Sequence, residues 1–238
     1  MRRRLYLMRH GAVSYFDPNG RPVAPDDVTL TDEGRQHAAA AGRLLEQVGF
    51  DRVIASGLPR TMETARIVAP AAEVEEWHEL QEIKGDRLSS IPPDELEETF
   101  VHAFRGVVPN DRRFLGGETI GSLFDRVLPA LDRLLADESW DVALAVLHGG
   151  VNRAILSYAL TGERMFLGHF EQAPGCVNVL DVGDEWIVRA VNIAPTDLAH
   201  ASTRLTTMEH YWQQYRPHNE LRAPEKRGRD TQADRLGK

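Results

Sequence analysis

The chain has 238 residues, 42% of them hydrophobic and 27% charged, with a formal net charge of −8. This is the balance of an ordinary soluble globular protein of one large domain, or at most two small ones. The acidic excess argues against a nucleic-acid binder held by bulk charge, the lone Cys176 excludes an internal disulfide framework, and no run approaches the roughly 18 apolar residues of a membrane span.

The opening "MRRRLYLM" imitates the charged start of a secretory signal, but Arg9 and His10 end its apolar run after Met8. It reads instead as a buried first strand of a cytoplasmic protein. A loop of turn formers, "DPNGRPVAPDD", follows. "LTDEGRQHAAAAGRLLEQVG" predicts a helix capped by Thr31, with Asp32 and Glu33 at its positive end and Gly49 closing it. "RVIAS" predicts a second strand ending at Ser56, and "RTMETARIVAP" a helix stopped by Pro70. "VEEWHEL" reads as a third strand, and "PPDELEETFVHAF" as a short helix.

In "ETIGSLFDRVLPALDRLLAD", apolar residues from Ile120 to Leu135 keep helical spacing, with a kink expected at Pro129. "VALAVL" has the unbroken apolar pattern of a strand covered on both faces. The helix "VNRAILSYALTG" follows it, closed by Gly162, and then the strands "CVNVLDV" and "WIVRAVNI", joined as a hairpin by "GDE". Cys176 lies in the first of these strands and reads as a small hydrophobe. From Pro217 to Lys238 the chain is polar and without periodicity, which predicts a disordered tail. Strands alternating with helices predict a three-layer α/β/α architecture with a mostly parallel central sheet over residues 1–216, with a short cap-like insertion at about 85–115.

In such sheets ligands bind beyond the carboxyl ends of the strands. Those ends carry Arg9-His10-Gly11, Ser56 with Arg60 one helical turn beyond, and His148-Gly149-Gly150 at a helix start. If the strands are parallel neighbours, two arginines, two histidines and a helix N-terminus share one crevice, which is an anion site. Arginine forks match phosphate oxygens, the helix N-terminus adds N–H donors, and Gly11 and Gly149 permit close approach of the backbone. Like charge nearby keeps a histidine neutral, so His10 could take a phosphoryl group and release it to water. A leaving alkoxide needs a proton, and Glu82 in "ELQEIKG" is the candidate donor, with Glu118 the alternative.

These residues resemble the histidine phosphatase superfamily, the phosphoglycerate mutase-like family. Arg9, His10 and Gly11 match its Arg-His-Gly hallmark. Leu30, Thr31, Gly34 and Ala38 match a helix-start element, and Ser56, Leu58, Arg60, Thr64 and Ala65 match a second. "GGET" (Gly116 to Thr119) and His148 to Gly150 match two later elements. The acid element falls on Glu82 with Gly85 one residue early. The resemblance implies His10 as phosphorylated nucleophile, Arg9, Arg60 and His148 as phosphoryl ligands, and Glu82 as proton donor.

The Thr and Asn that many members carry after the hallmark are replaced by Val13 and Phe16, with Asn19 a candidate substitute amide. Tyr15 and Phe16 suggest an apolar pocket mouth. Arg112 and Arg113 read as a surface pair or a reader of a distal anion, and Arg153 as a residue of the pocket rim or a helix residue that does not reach it.

The expected activity is metal-independent hydrolysis of a small-molecule phosphate ester, without cofactor, nucleic-acid or membrane partner, by a monomer or homodimer. The alternatives are a mutase, disfavoured by the short interval between Glu82 and His148, a metalloenzyme on His10, His148 and Glu82, disfavoured by two arginines at the same spot, and a non-catalytic phosphate-binding module.

Overall fold

The computed structural model describes residues 2–17 and 23–220. The first half of the chain gives β1 (Arg3–Arg9), α1 (Asp32–Leu44), β2 (Arg52–Ala55), α2 (Pro59–Val68), β3 (Val74–Glu76) and α3 (Leu96–Val101). The rest gives β4 (Val107–Val108), α4 (Ile120–Ala136), β5 (Val142–Leu147), α5 (Gly149–Thr161), β6 (Phe166–Leu167), β7 (Val177–Val182), β8 (Ile187–Ile193) and α6 (Thr207–Glu220).

The main sheet has the order β3-β2-β5-β1-β7-β8. β3, β2, β5 and β1 are parallel, and the β7–β8 hairpin runs antiparallel to β1. Both faces are covered, and β1 shows how. Leu5 and Leu7 point into a core with Leu123, Phe124, Val127 and Ile155 of α4 and α5. Met8, one residue out of phase, points into a second core with Ala38, Ala41, Met62 and Ala65 of α1 and α2. The strand is therefore apolar on both sides, as its unbroken run requires.

Caps mark three of these helix boundaries. Thr31 Oγ1 accepts from Gly34 N at 3.0 Å, and Thr119 Oγ1 from Ser122 N at 3.0 Å. Gly162 ends α5 in the left-handed region at φ 71°. Three expectations need correction. α1 ends at Leu44, short of Gly49, because Leu45 N closes the last turn on Ala41 O. "VEEWHEL" is a strand only to Glu76 and then a single tight turn at His78–Leu80. α6 carries the backbone through Pro217 to Glu220, past the start expected for the tail; the remainder, 221–238, lies outside the described residues. α4 runs through Pro129 as one helix. The stretch expected to form a cap-like insertion, about 85–115, contains α3 and β4, and β4 pairs with β6 in a two-stranded sheet. Among the described residues no helix is long and apolar enough to cross a membrane.

One close approach fixes the tip of β1. A Cβ built on Gly34 would lie 2.1 Å from Ala12 O, and one on Gly11 would lie 2.2 Å from Gly34 O. Alanine normally stabilises a helix relative to glycine, but here backbone occupies its place. Gly34→Ala should therefore destabilise by about 1–3 kcal/mol, the cost of overpacking. Gly49→Ala, with nothing within 4 Å of the new methyl, should be neutral or slightly stabilising. Chemical denaturation of the two variants checks both signs.

Candidate active site

The strands end side by side, with Arg9 of β1 opposite Leu147 of β5, and Ala55 of β2 opposite Val146. β1 leads to α1 on one face of the sheet and β5 to α5 on the other, so the crevice between them is a topological switch point. The expected residues converge there. The His10 and His148 rings lie 5.3 Å apart between centroids. Arg9, His10, Arg60 and His148 are 3%, 2%, 2% and 0% exposed, so the cluster is enclosed.

His10 Nδ1 is 2.7 Å from Gly11 O. A carbonyl can only accept, so Nδ1 carries the proton and Nε2 keeps its lone pair. Burial, then Arg60 and Arg9, hold the imidazole well below its ordinary pKa. A neutral ring with a defined free nitrogen is a nucleophile. The tip is braced by Thr64, whose Oγ1 donates to Arg60 O at 2.7 Å and accepts from Gly11 N at 3.2 Å.

His148 has the complementary tautomer. Thr61 Oγ1 donates to Leu58 O at 2.8 Å, Ser56 Oγ is 3.0 Å from Thr61 Oγ1, and His148 Nε2 is 2.7 Å from Ser56 Oγ. The chain is consistent if Nε2–H donates to Ser56 and Ser56 to Thr61. Nδ1 is then the free nitrogen, buried without a partner, and donates only when the ring gains a second proton. Burial, Arg60, His10 and Arg9 oppose that proton and lower the His148 pKa well below the ordinary value.

The arginines are held at one end and free at the other. Arg9 donates from Nη1 to Gln172 O at 2.5 Å and from Nη2 to Tyr211 Oη at 2.8 Å. Arg60 donates from Nη1 to Pro25 O at 2.7 Å. Arg9 Nε and Arg60 Nε are buried with no partner. Such donors cost about 1–3 kcal/mol each when unsatisfied, and together with His148 Nδ1 they mark a place for oxyanion oxygens.

Glu82 turns inward. Its Oε1 accepts from Gly150 N and Ile83 N, each at 3.0 Å. A Cβ on Gly149 would lie 3.7 Å from Arg9 Nε and 3.8 Å from Glu82 Oε2, which puts the carboxyl at the arginine edge of the site. Glu118 is committed elsewhere. Arg126 grips both its oxygens, at 2.8 and 3.0 Å, and Lys84 N donates to it at 3.0 Å. Burial opposes ionisation of Glu118, but Arg126 and the Lys84 amide outweigh it and hold the pKa below the usual value. Arg126 also donates to the carbonyls of Glu79, Gln81 and Glu82. The pair thus clamps the backbone that carries Glu82.

Two contributors were not visible at strand ends. α6 supplies Thr207 and Tyr211 to Arg9. Its sequence signals are Met208, Tyr211, Trp212 and Tyr215 at helical spacing and a capping box, with Glu209 accepting from Thr206 N at 2.6 Å and Glu209 N donating to Thr206 Oγ1 at 3.2 Å. Gln172, whose carbonyl holds Arg9, is fixed by a buried amide network with Asn152 and Asn178. Arg153 is 4% exposed and donates to Gly149 O and Gly168 O at 3.1 Å, with Glu171 at 3.5 Å. Arg112 and Arg113 are exposed, and Arg113 donates to Gly117 O. Asn19 lies outside the described residues. Cys176 lies just before β7 and not in the strand expected for it; burial pushes its thiol up to about 12, as befits an inert buried cysteine. Among the described residues no three His, Cys, Asp or Glu side chains gather as a metal site.

The profile of the histidine phosphatase superfamily (branch 1) matches residues 5–194. The chain belongs to the histidine phosphatase superfamily. Its relatives within that superfamily include "Probable phosphoglycerate mutase GpmB" of Salmonella paratyphi A, 33% identical over 149 residues that cover 61% of this chain and 69% of the relative. Phosphoglycerate mutase-like protein 4 of Arabidopsis thaliana is 26% identical over 197 residues, covering 78% and 83%. Two solved structures share the fold. The alpha-ribazole phosphatase from Shigella flexneri has a TM-score of 0.64 at 24% identity over 79% of this chain and 96% of the other. The mycobacterial glucosyl-3-phosphoglycerate phosphatase has a TM-score of 0.63 at 23% identity over 81% and 99%.

For this histidine phosphatase superfamily member, the His148 tautomer has a measurable consequence. The free ring is neutral because its pKa is lowered, whereas a bound dianion favours the imidazolium. Anion binding then takes up a proton, and affinity rises as pH falls. Sulfate, whose charge is fixed across this range, should inhibit competitively and more tightly from about pH 8 to about pH 6, by up to about tenfold per unit. His148→Gln should flatten that slope. A pH-independent inhibition constant in the unaltered protein would contradict the assignment.

Proposed function

We propose that the protein is a metal-independent phosphatase that hydrolyses a small phosphate monoester through a phosphohistidine on His10. The observation that carries this reading is the set of buried, partnerless nitrogens on Arg9, Arg60 and His148 around the free Nε2 of His10. The two arginine donors and protonated His148 would take the three non-bridging oxygens of one phosphoryl group, and their charge would offset what develops as the P–O bond lengthens.

In the first step His10 Nε2 bonds to phosphorus and the bond to the ester oxygen breaks. Glu82, protonated, gives its proton to that oxygen, and the alcohol leaves. In the second step the Glu82 carboxylate takes a proton from water, the hydroxyl oxygen bonds to phosphorus, and the bond to His10 breaks. Inorganic phosphate departs, with Glu82 protonated again. The amides of Ile83 and Gly150 aim the carboxyl for both transfers.

The test is made with a chelator present throughout. Glu82→Gln should slow an alkyl phosphate by about 10²- to 10⁴-fold, the range of acid–base catalysis. Nitrophenyl phosphate, whose leaving group needs no proton, should lose much less in pre-steady-state measurements of the first step. Equal losses on both substrates would contradict the donor role. Loss of wild-type activity to the chelator, restored by a divalent ion, would contradict metal independence. Since relatives include mutase names, the products are assayed for both inorganic phosphate and an isomerised ester, and phosphate is expected.

A further inference from the structure

The enclosure above the phosphoryl site says what kind of alcohol the ester carries, if the phosphatase reading is granted. The roof over Arg9 is aromatic. The Tyr15 and Tyr211 rings meet edge to face at 5.2 Å between centroids, and the Arg9 guanidinium lies 5.9 Å from the Tyr211 ring. A second layer stands behind, with Phe16 beside Tyr215, and Phe100 stacked on Tyr215 and packed against Trp212, at 6.4, 6.1 and 5.7 Å. Tyr15 is close enough to Arg60, Glu82 and Arg9 for each to act on its hydroxyl, and burial keeps that hydroxyl protonated. The roof therefore presents neutral phenol and ring faces to whatever leaves from phosphorus.

The charges point the same way. Three arginines are buried here, Arg9, Arg60 and Arg153. Arg153 is committed to Glu171, to two carbonyls and to the face of Phe104 at 4.9 Å. Arg126, which holds the Glu82 carbonyl, is filled by Glu118 and three carbonyls. Once a phosphate dianion balances Arg9 and Arg60, no uncommitted cation faces the enclosure among these residues. A second anionic group on the substrate would be taken out of water without a partner. A ring or alkyl group would instead gain apolar contact with Tyr15 and Tyr211.

We infer that the substrate is the monophosphate of an uncharged alcohol bearing an aromatic or apolar group, seated against Tyr15 and Tyr211, and that esters with a second anionic group near the phosphate are rejected. The inference separates this chain from one that handles phosphorylated carboxylates.

A matched pair tests it on the unaltered full-length chain. Benzyl phosphate and 4-carboxybenzyl phosphate share a leaving oxygen and a ring and differ by one charge. Benzyl phosphate should have the higher kcat/KM by about 10²-fold, the scale on which an apolar pocket discriminates against an added polar group. It should also exceed methyl phosphate, and Tyr15→Ser should narrow that second ratio about tenfold while inorganic phosphate still forms. Comparable kcat/KM for the carboxylated and plain benzyl esters would overturn the inference and leave the phosphatase reading intact. An unchanged benzyl-to-methyl ratio in Tyr15→Ser would overturn the assignment of Tyr15 as the wall. Failure to hydrolyse any of the three esters, or nitrophenyl phosphate, would overturn the phosphatase reading and this inference with it.

Discussion

Like charges held together away from water dominate this molecule. Arg9, Arg60 and Arg153 lie within one enclosure, each at most 4% exposed, and charges so placed repel one another and forfeit hydration. Several features of the fold answer that cost. Glu171 faces Arg153 and binds Thr207, whose hydroxyl in turn accepts from Arg9. Backbone carbonyls of Gln172, Pro25, Gly149 and Gly168 absorb donors. Both histidines are driven neutral by burial and by their arginine neighbours. The compensation stops short of Arg9 Nε and Arg60 Nε. On the proposed reading an oxyanion would complete it, which gives anion affinity and the nucleophilicity of His10 one origin.

That arrangement depends on a stiff frame, because a site off by an ångström forfeits much of its rate. The β1 tip cannot shift without driving Gly11 into Gly34. Thr64 ties it to α2, and Ser56 and Thr61 orient His148. On the opposite wall Glu118 and Arg126 clamp the Glu82 backbone. Gly150 is required because a side chain there would collide with Glu82. A methyl on Gly150 would lie 2.6 Å from Glu82 Oε1.

Much of this was legible in the sequence, and the exceptions share a cause. Arg9, His10, Arg60 and His148 could be placed because each stands at or just beyond a strand end, and parallel order brings strand ends together. Glu82 is a candidate by chemistry and is singled out by resemblance, since an acidic stretch has no period that marks one carboxylate as turned inward. What separates Glu118 from it is Arg126, eight residues further on in α4, which holds both Glu118 oxygens. Gln172 and Glu171 sit in irregular backbone between β6 and β7, where neither polarity nor spacing indicates what they face. α6 is different, for its apolar spacing and its Thr206–Glu209 capping box were present in the chain. It lies beyond the last strand, after an exposed stretch of irregular backbone.

The central claim is that His10 takes the phosphoryl group on Nε2, with Nδ1 bound to Gly11 O. The direct measurement is to quench turnover into alkali, where phosphohistidine survives, and to locate the phosphate by phosphorus–nitrogen correlation NMR on the histidine-labelled protein. A single phosphohistidine at position 10, bonded through Nε2, is expected. Phosphate on Nδ1 or on another residue, or steady turnover by His10→Ala at the wild-type rate, would contradict it.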